Sequence, residues 1–576
     1  MNKGFIIIVV LFLALTGGIV AQEGMFDGEM VRRVNLLPQV PWVGCEAGFA
    51  AEISTAYRNS KLTALFRSSN NTFSIPLFDD GAHADGSPGD GIYGGTFPAQ
   101  QNPGYWFCSV SSQSSGGGQK FSIPQVFAVT PLRTEYRALW ADSWNRGFLS
   151  EGEARRMIET CRESNINAII VEIRKMGDAY YDSTYEPRAT NIRGSSYDPL
   201  KYIIEQAHDT SGGKKRIEVH AWIVVYRAYK GGGKPSSPKH VMNAHPEWIS
   251  QSESGAIQDN GSTYLDPGVP AVTDYTIDIC RDIISKYDVD GINFDYIRYP
   301  SSGWGYNPIA VKRFQKLYNV SEKPDSSDPR WKDFLRDQVS HFLRKAYVNL
   351  IKEKPELKVS VCTIGWGDIP GGRFEDAEPY SGGIQDWARW NRNHLMDINF
   401  RMGYKRHHEP KQKLQFERWT DFTLNNQCFR ISPIGIGAYL NSREGTIEQI
   451  LHSRRWGANG MVFYSYASSS MNQNEKISGY QAISRKTFPT WCEVPSLAWK
   501  VTSPTGIVAG VVLKDGKAAD GSEVSISEIN IKTITDGTGF YAFMDVPPGS
   551  WKIALDGTPT GEVNVSTGKV NEFNIR

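Results

Sequence analysis

Between Pro131 and about Pro489, eight short apolar runs alternate with amphipathic stretches, and no other feature narrows the choice of fold as far. Strands that all run the same way need a crossover of a dozen or more residues, usually a helix. Eight consecutive strand–helix units predict a closed (β/α)8 TIM barrel with its helices outside. The runs are Arg137 to Asp142, Ala168 to Arg174, Glu218 to Val225, Gly291 to Tyr299, Lys358 to Trp366, Asp397 to Tyr404, Pro433 to Leu440 and Gly460 to Ala467. Between them the spacing predicts helices over Glu151 to Ser164, Val272 to Tyr287 and Trp331 to Lys354, with Ser150 as N-cap of the first. Roughly 360 residues suits a fold that runs from about 200 to more than 400 with insertions. One insertion, Tyr226 to Asp266, is expected to rise over the carboxyl ends of the strands.

A chain of 576 residues exceeds the usual single domain. Residues 22–130 read as short alternating strands with Gly, Ser and Pro turns, among them Thr72-Phe73-Ser74-Ile75-Pro76-Leu77-Phe78, and predict a small β-sandwich. A second run of short strands occupies 506–576, after a Pro- and Ser-containing linker at 491–505, which leaves the barrel at 131–490. The expected fold class is multidomain: a central TIM barrel flanked by two small β-sandwiches. Residues 1–21 carry one lysine, an apolar stretch from Phe5 to Leu15 and small residues before Gln22, the pattern of a cleaved secretory signal. That stretch is shorter than the about 20 residues a bilayer span needs. The expected protein is exported, periplasmic or extracellular, with no membrane span once the signal is removed.

Within the first sandwich, the run Asp79 to Tyr93 places Asp79, Asp80, Asp85 and Asp90 among glycines. Oxygen ligands on a tight turn suit a structural Ca²⁺; the equal alternative is a polar turn whose Asp side chains cap backbone N–H groups. Of seven cysteines, only Cys45 and Cys108 share one small domain, where one disulfide would fit.

The net charge of +1 gives no basic footprint for nucleic acid. Aromatic residues make up 12% of the chain, with 16 Trp, and such rings stack on the C–H faces of sugars as well as filling cores. Hydrolysing a glycosidic bond takes two carboxyl groups, and in a barrel the working residues stand at the carboxyl ends of the strands. Four acids stand there: Asp142, Glu172, Asp295 and Asp368. Along Gly291-Ile292-Asn293-Phe294-Asp295, Ile292 and Phe294 face one way and Asn293 and Asp295 the other. A carboxylate at the end of a buried strand costs several kcal/mol unless it is paired, hydrogen-bonded or faces a wet cleft. Asp295 therefore demands a role.

Glu172 and Arg174 share a strand face by two-residue spacing, so Arg174 either binds substrate or forms a purely structural pair with Glu172. His220 and Trp222 share a face of the third strand, as hydrogen-bond donor and stacking surface, with a core histidine as the alternative for His220. No second His follows two residues on, so a metal-dependent hydrolase has no support and no catalytic cofactor is expected. Arg298 and Tyr404 add further groups for sugar. A serine-hydrolase elbow of the form Gly-x-Ser-x-Gly is absent.

In order along the chain, Arg137-Ala138-Leu139-Trp140, Glu172-Ile173-Arg174 with Gly177-Asp178-Ala179-Tyr180-Tyr181, His220-Ala221-Trp222 with Tyr226-Arg227, Tyr264-Leu265-Asp266-Pro267-Gly268, and the run Asp290 to Pro300 resemble the family-ten glycosyl-hydrolase-like proteins. The resemblance covers about three fifths of the chain and implies a barrel acting on bacterial polysaccharide, peptidoglycan glycan strands being a substrate class of some members. This chain departs from the family pattern at Glu172, where Gln is commoner, at Val224-Val225 in place of Asn-Pro, and at Tyr296 in place of a second Asp. The Asp-Gly-rich turn resembles immunoglobulin-like modules of exported bacterial proteins. Gly510-Val511-Val512, Thr535 to Tyr541 and Val546 to Trp551 resemble the carboxypeptidase regulatory-like sandwich.

Together these features predict an exported glycoside hydrolase that cleaves a polysaccharide or peptidoglycan. Asp295 and Glu172 are its catalytic carboxyls, and Arg174, His220, Trp222, Arg298, Tyr404, Asp142 and Asp368 bind sugar. The rival is a non-catalytic carbohydrate-binding protein of the cell envelope.

Overall fold

The structure, a computed structural model, describes residues 25–114, 118–192, 194–472 and 478–576; the expected signal at 1–21 lies outside the described residues. The chain divides into two compact units, Thr134–Asn391 with Met396–Pro495, and the remainder.

The larger unit is built on a closed ring of eight parallel strands: β1 (Tyr136–Ala141), β2 (Ala168–Arg174), β3 (Glu218–Val224), β4 (Gly291–Asp295), β5 (Lys358–Ile364), β6 (Ile398–Gly403), β7 (Ile434–Gly437) and β8 (Gly460–Tyr464). Pairing of β8 with β1, from Gly460 opposite Tyr136 to Tyr464 opposite Trp140, closes it. The strands are buried on both faces, which is why they read as near-continuous apolar runs. Outside lie helices such as Glu151–Glu163, Pro199–His208, Pro270–Lys286, Pro329–Glu353 and Pro410–Asn425. Four of these five start with proline, whose missing N–H is no loss in a first turn. Ser150 accepts the Glu153 N–H at 3.3 Å, and the Glu153 carboxylate accepts the N–H groups of Gly147 and Leu149, so the first helix start is fixed from both sides. On β4, Phe294 points outward to Phe342 of Pro329–Glu353, ring centres 5.3 Å apart. Asn293 and Asp295 accordingly take the inner face.

Three strands end at least three residues earlier than the apolar pattern suggests. β4 stops at Asp295 because Tyr296 turns into the left-handed region at φ 50°. β7 gives way to a 3₁₀ turn at Ala438–Leu440, and β8 ends at Tyr464. The insertion 226–266 carries a short antiparallel pair, Arg227–Lys230 with Ser262–Tyr264, just beyond the carboxyl end of β3. The opposite end of the barrel is filled by a buried polar group: the Lys358 ammonium donates to Glu218 at 2.5 Å and to the Tyr136 hydroxyl at 3.0 Å. Burial alone would raise the Glu218 carboxyl, but Lys358 and His220 outweigh it and hold the group below its ordinary range.

The second unit holds the sheets of both chain ends. Val31–Leu37, Ala47–Ile53 and Ile92–Phe97 form one sheet, facing a five-stranded one around Lys61–Arg67 and Gly104–Gln113. The C-terminal part pairs Gly506–Val511 with Phe540–Val546, and Glu523–Ile526 with Gly549–Leu555. Phe26 and Phe121 share one apolar cluster with Val508, Val524, Ile526 and Trp551, so the two sandwiches form one continuous core. All seven cysteines are free; Cys45 and Cys108 are not joined. No helix among the described residues is long and apolar enough to cross a membrane.

Candidate active site

A cavity of about 460 Å³ opens at the carboxyl ends of the barrel strands. Its lining includes Trp140, Glu172, Trp222, Asp295, Cys362, Tyr404 and Tyr464 from the strand ends, and Trp144, Arg227, Tyr296, Arg298, Trp366 and Lys405 from the loops that follow. Strand register explains the meeting. Glu172 stands opposite Trp222, and Trp222 opposite Asn293, so the three share a level, while Asp295 sits two residues nearer the mouth.

Glu172 is 1% exposed. One carboxylate oxygen accepts the Ser143 N–H at 2.9 Å and the Ser143 hydroxyl at 2.7 Å. These bonds and Lys175 favour the charged form, yet burial dominates and the acid is pushed up to about 7. At neutral pH such a group still carries its proton about half the time, which a general acid requires.

Asp295 is also raised by burial, but its surroundings oppose the shift differently. The Tyr296 N–H donates to its carboxylate at 2.6 Å, and the Arg298 and Arg227 charges pull it back toward ionisation. The Trp222 indole N–H, which has no hydrogen bond of normal geometry, leans the same way. The left-handed backbone at Tyr296 is unusual for an aromatic residue and carries a conformational cost. It turns the Tyr296 N–H onto the acid and sets the ring beside two guanidiniums, Arg227 at 4.1 Å and Arg298 at 4.8 Å from its centre. Arg298 also covers Trp366 at 4.6 Å, and Arg227 lies 5.7 Å from Trp144. Arg227 donates to the Tyr296 hydroxyl and Arg298 to the Tyr299 carbonyl; among the described residues neither forms an ion pair with an acidic side chain. Across the mouth, Tyr404, Tyr439 and Tyr464 cluster with ring centres 5.5 to 6.3 Å apart. Two carboxyl groups thus share an aromatic-lined cavity, one an acid near neutrality, the other beside two cations.

The family described as Glycosyl hydrolase-like 10 matches residues 135–432, more than half of the chain. This chain belongs to the glycosyl hydrolase-like 10 family. A second match, to the second immunoglobulin-like domain of conditioned medium factor, covers residues 49–122. Among curated relatives, glycosyl hydrolase YngK of Bacillus subtilis is 25% identical over 248 residues, 40% of this chain and 45% of that protein. Glycosyl hydrolase DigH of Escherichia coli is 26% identical over 253 residues, 40% of this chain and 53% of its own length. The chain thus spans about half the length of the curated relatives it matches. A β-N-acetylhexosaminidase from Bacteroides fragilis is 10% identical, with a TM-score of 0.37 over 66% of this chain and 70% of its own. No argument follows from so distant a likeness.

Within this glycosyl hydrolase-like barrel, the structure brings together only part of the set expected from sequence. Asp295, Glu172, Trp222, Arg298 and Tyr404 line one cavity. Arg174 does not reach it. The strand register shifts between Glu172 and Arg174, and the fully buried guanidinium is held by Glu186, at 2.7 to 3.0 Å, and by the carbonyls of Val224 and Val225. Neither of the alternatives read from spacing, a substrate ligand or a Glu172 partner, describes it. His220 shares a face with Trp222 but sits a layer deeper, 3.3 Å from Glu218 and packed on Tyr136 and Phe400, as a core histidine. Asp142 ties its own turn, accepting the N–H groups of Trp144 and Asn145 and the Asn145 amide, so it positions Trp144 without lining the cavity. Asp368 turns outward to Arg418 at 2.9 Å.

In the N-terminal loop, Asp79 accepts from Gly89 and Gly91, Asp80 from Ala82, Asp85 from Asp80, Gly81 and His83, and Asp90 from Ser87 and Ile92. Each of these carboxylates thus accepts at least one backbone N–H. No group of three or more His, Cys, Asp or Glu side chains among the described residues could hold a metal ion.

Sequence reasoning left Trp144, Arg227, Tyr296, Trp366 and Lys405 out of the site. Arg227 lay in a quoted motif, but its role depends on the insertion hairpin folding back. Burial and neighbouring Arg401 push Lys405 down to about 8, and it donates to the Gly367 carbonyl at 2.8 Å.

Proposed function

We propose that the protein is an exported glycoside hydrolase in which Glu172 protonates the leaving glycosidic oxygen and Asp295 acts from the other side of the bond as nucleophile or base. The observation that carries this reading is the pairing of two buried carboxyls in one cavity, with arginines beside only one of them. Burial raises both acids, Glu172 to about 7, and at Asp295 two arginines oppose the shift and favour the charged form. Two carboxyls that share a cavity but differ in their charged neighbours can divide the acid and base roles of glycoside cleavage. Trp144, Trp366 and the tyrosine cluster supply apolar faces for sugar rings. The guanidiniums of Arg227 and Arg298, without acidic partners, suit a polymer whose sugars carry carboxylates, as the glycan strands of peptidoglycan do once their stem peptides are removed. The leader-like residues 1–21 favour action in the periplasm or outside the cell. The C-terminal sandwich, read as carboxypeptidase regulatory-like, serves as an accessory or spacer.

The test is turnover of purified glycan strands and a panel of neutral α- and β-glucans, by wild type and by Asp295→Asn, with binding measured on the same polymers. Release of new reducing ends by wild type and retained binding without release by the variant is the expected result. Binding without release by both proteins would assign the barrel to carbohydrate recognition alone.

A further inference from the structure

We propose that the barrel mouth holds an extended saccharide chain on both sides of the carboxyl pair, with Trp144 and Trp366 as stacking platforms at its two ends, so that cleavage falls inside the chain. The inference rests on the glycosidase reading and deepens it.

Four tryptophans of this unit, Trp331, Trp387, Trp390 and Trp419, are fully buried in the shell between strands and helices. Trp144 and Trp366 are different: they line the cavity and are 49% and 36% exposed. An isolated exposed aromatic is ordinary. These two are neither isolated nor random in position. Trp144 follows β1 and Trp366 follows β5, and in the closed order of eight strands β1 and β5 stand opposite one another. The indoles are therefore on facing sides of the mouth, with Glu172 on β2 and Asp295 on β4 between them along the ring.

A continuous cation–π ladder fixes them there. From Trp144 it runs to Arg227, Tyr296, Arg298 and Trp366 in steps of 5.7, 4.1, 4.8 and 4.6 Å. Lys175 adds a second hold on Trp144 at 4.2 Å. Rings locked in this way lose little rotamer freedom when a ligand stacks on them, which is what a preformed subsite needs. The ladder is longer than a single sugar ring. A site that trims chain ends needs a wall on one side to stop the polymer; here each end of the ladder is a partly exposed indole.

The experiment uses end-labelled, purified glycan strands and a series of oligosaccharides of increasing length, with wild type, Trp144→Ala, Trp366→Ala and the Trp→Phe variant at each site. Early wild-type products should be internal fragments of mixed length. Each Ala variant should lose kcat/KM by about three- to tenfold, the range of one stacking contact, with a loss that grows with chain length and is largely restored by Phe. Steady release of mono- or disaccharides from one end, or Ala variants indistinguishable from wild type at every length, would overturn the proposal while leaving the glycosidase reading in place. If no chain is cut, calorimetric binding to Asp295→Asn decides. Affinity that rises with chain length and falls in both Trp variants supports the platforms; affinity independent of length refutes them.

Discussion

Replacing Glu172 with Gln should abolish turnover and at the same time stabilise the barrel at alkaline pH. In the folded protein the carboxyl is pushed up from an ordinary 4.5 to about 7, chiefly by burial. The native state therefore holds this proton where the unfolded chain has lost it, and stability falls as pH rises from about 4.5 through about 7. At 1.36 kcal/mol per pH unit, that gap corresponds to roughly 3 kcal/mol of destabilisation above pH 8, an upper figure because neighbouring groups relax. A Gln amide is neutral at every pH, and its oxygen can still accept the Ser143 N–H and hydroxyl that now hold Glu172 at 2.9 and 2.7 Å. Urea unfolding of wild type and Glu172→Gln at pH 4.5, 6.5 and 8.5, followed by tryptophan fluorescence, measures the effect. The curves should nearly coincide at pH 4.5 and separate progressively, with the variant more stable by about 2–3 kcal/mol at pH 8.5. A variant less stable than wild type at pH 8.5, or a difference that does not change with pH, would refute the argument that burial keeps this acid protonated.

Ser143→Ala removes one hydrogen bond to the charged form of Glu172. At about 1.5–3 kcal/mol for such a bond, the alkaline limb of kcat/KM against pH should move up by about 1–2 units. Arg174→Ala strands the buried Glu186 carboxylate and should cost about 3–5 kcal/mol in denaturant unfolding. Asp368→Asn breaks only the partly exposed pair with Arg418; unfolding should change by less than about 1 kcal/mol and glycan turnover should match wild type.

The ring of strands was legible because parallel strands buried on both faces must be apolar throughout, and because helices such as Glu151–Glu163 announce their starts with a capping serine. What the linear pattern could not supply was depth along the barrel axis and local breaks in register. His220 and Trp222 do share a face, yet two residues of depth separate a core histidine from a cavity wall. The two-residue rule failed at Arg174 because a register shift follows Glu172, and its carboxylate partner lies twelve residues on in an irregular loop. Asp368 was read as a strand-end acid, but a helix fifty residues away supplies Arg418 to turn it outward. Tryptophan abundance was an equally blunt guide, since the same residue type fills the outer shell as Trp331 and Trp419 and walls the cavity as Trp222 and Trp366. No periodicity signals the left-handed turn at Tyr296, although it orders both the Asp295 carboxylate and the arginines beside it.

The most direct measurement is a crystal structure of Glu172→Gln soaked with an oligosaccharide long enough to cross the cavity. The account predicts one glycosidic linkage held between positions 172 and 295, its bridging oxygen within hydrogen-bond reach of the introduced amide and its anomeric carbon facing Asp295 or a water bound to it. Sugar bound elsewhere on the barrel, or lying with both carboxyl positions on the same side of every linkage, would contradict it.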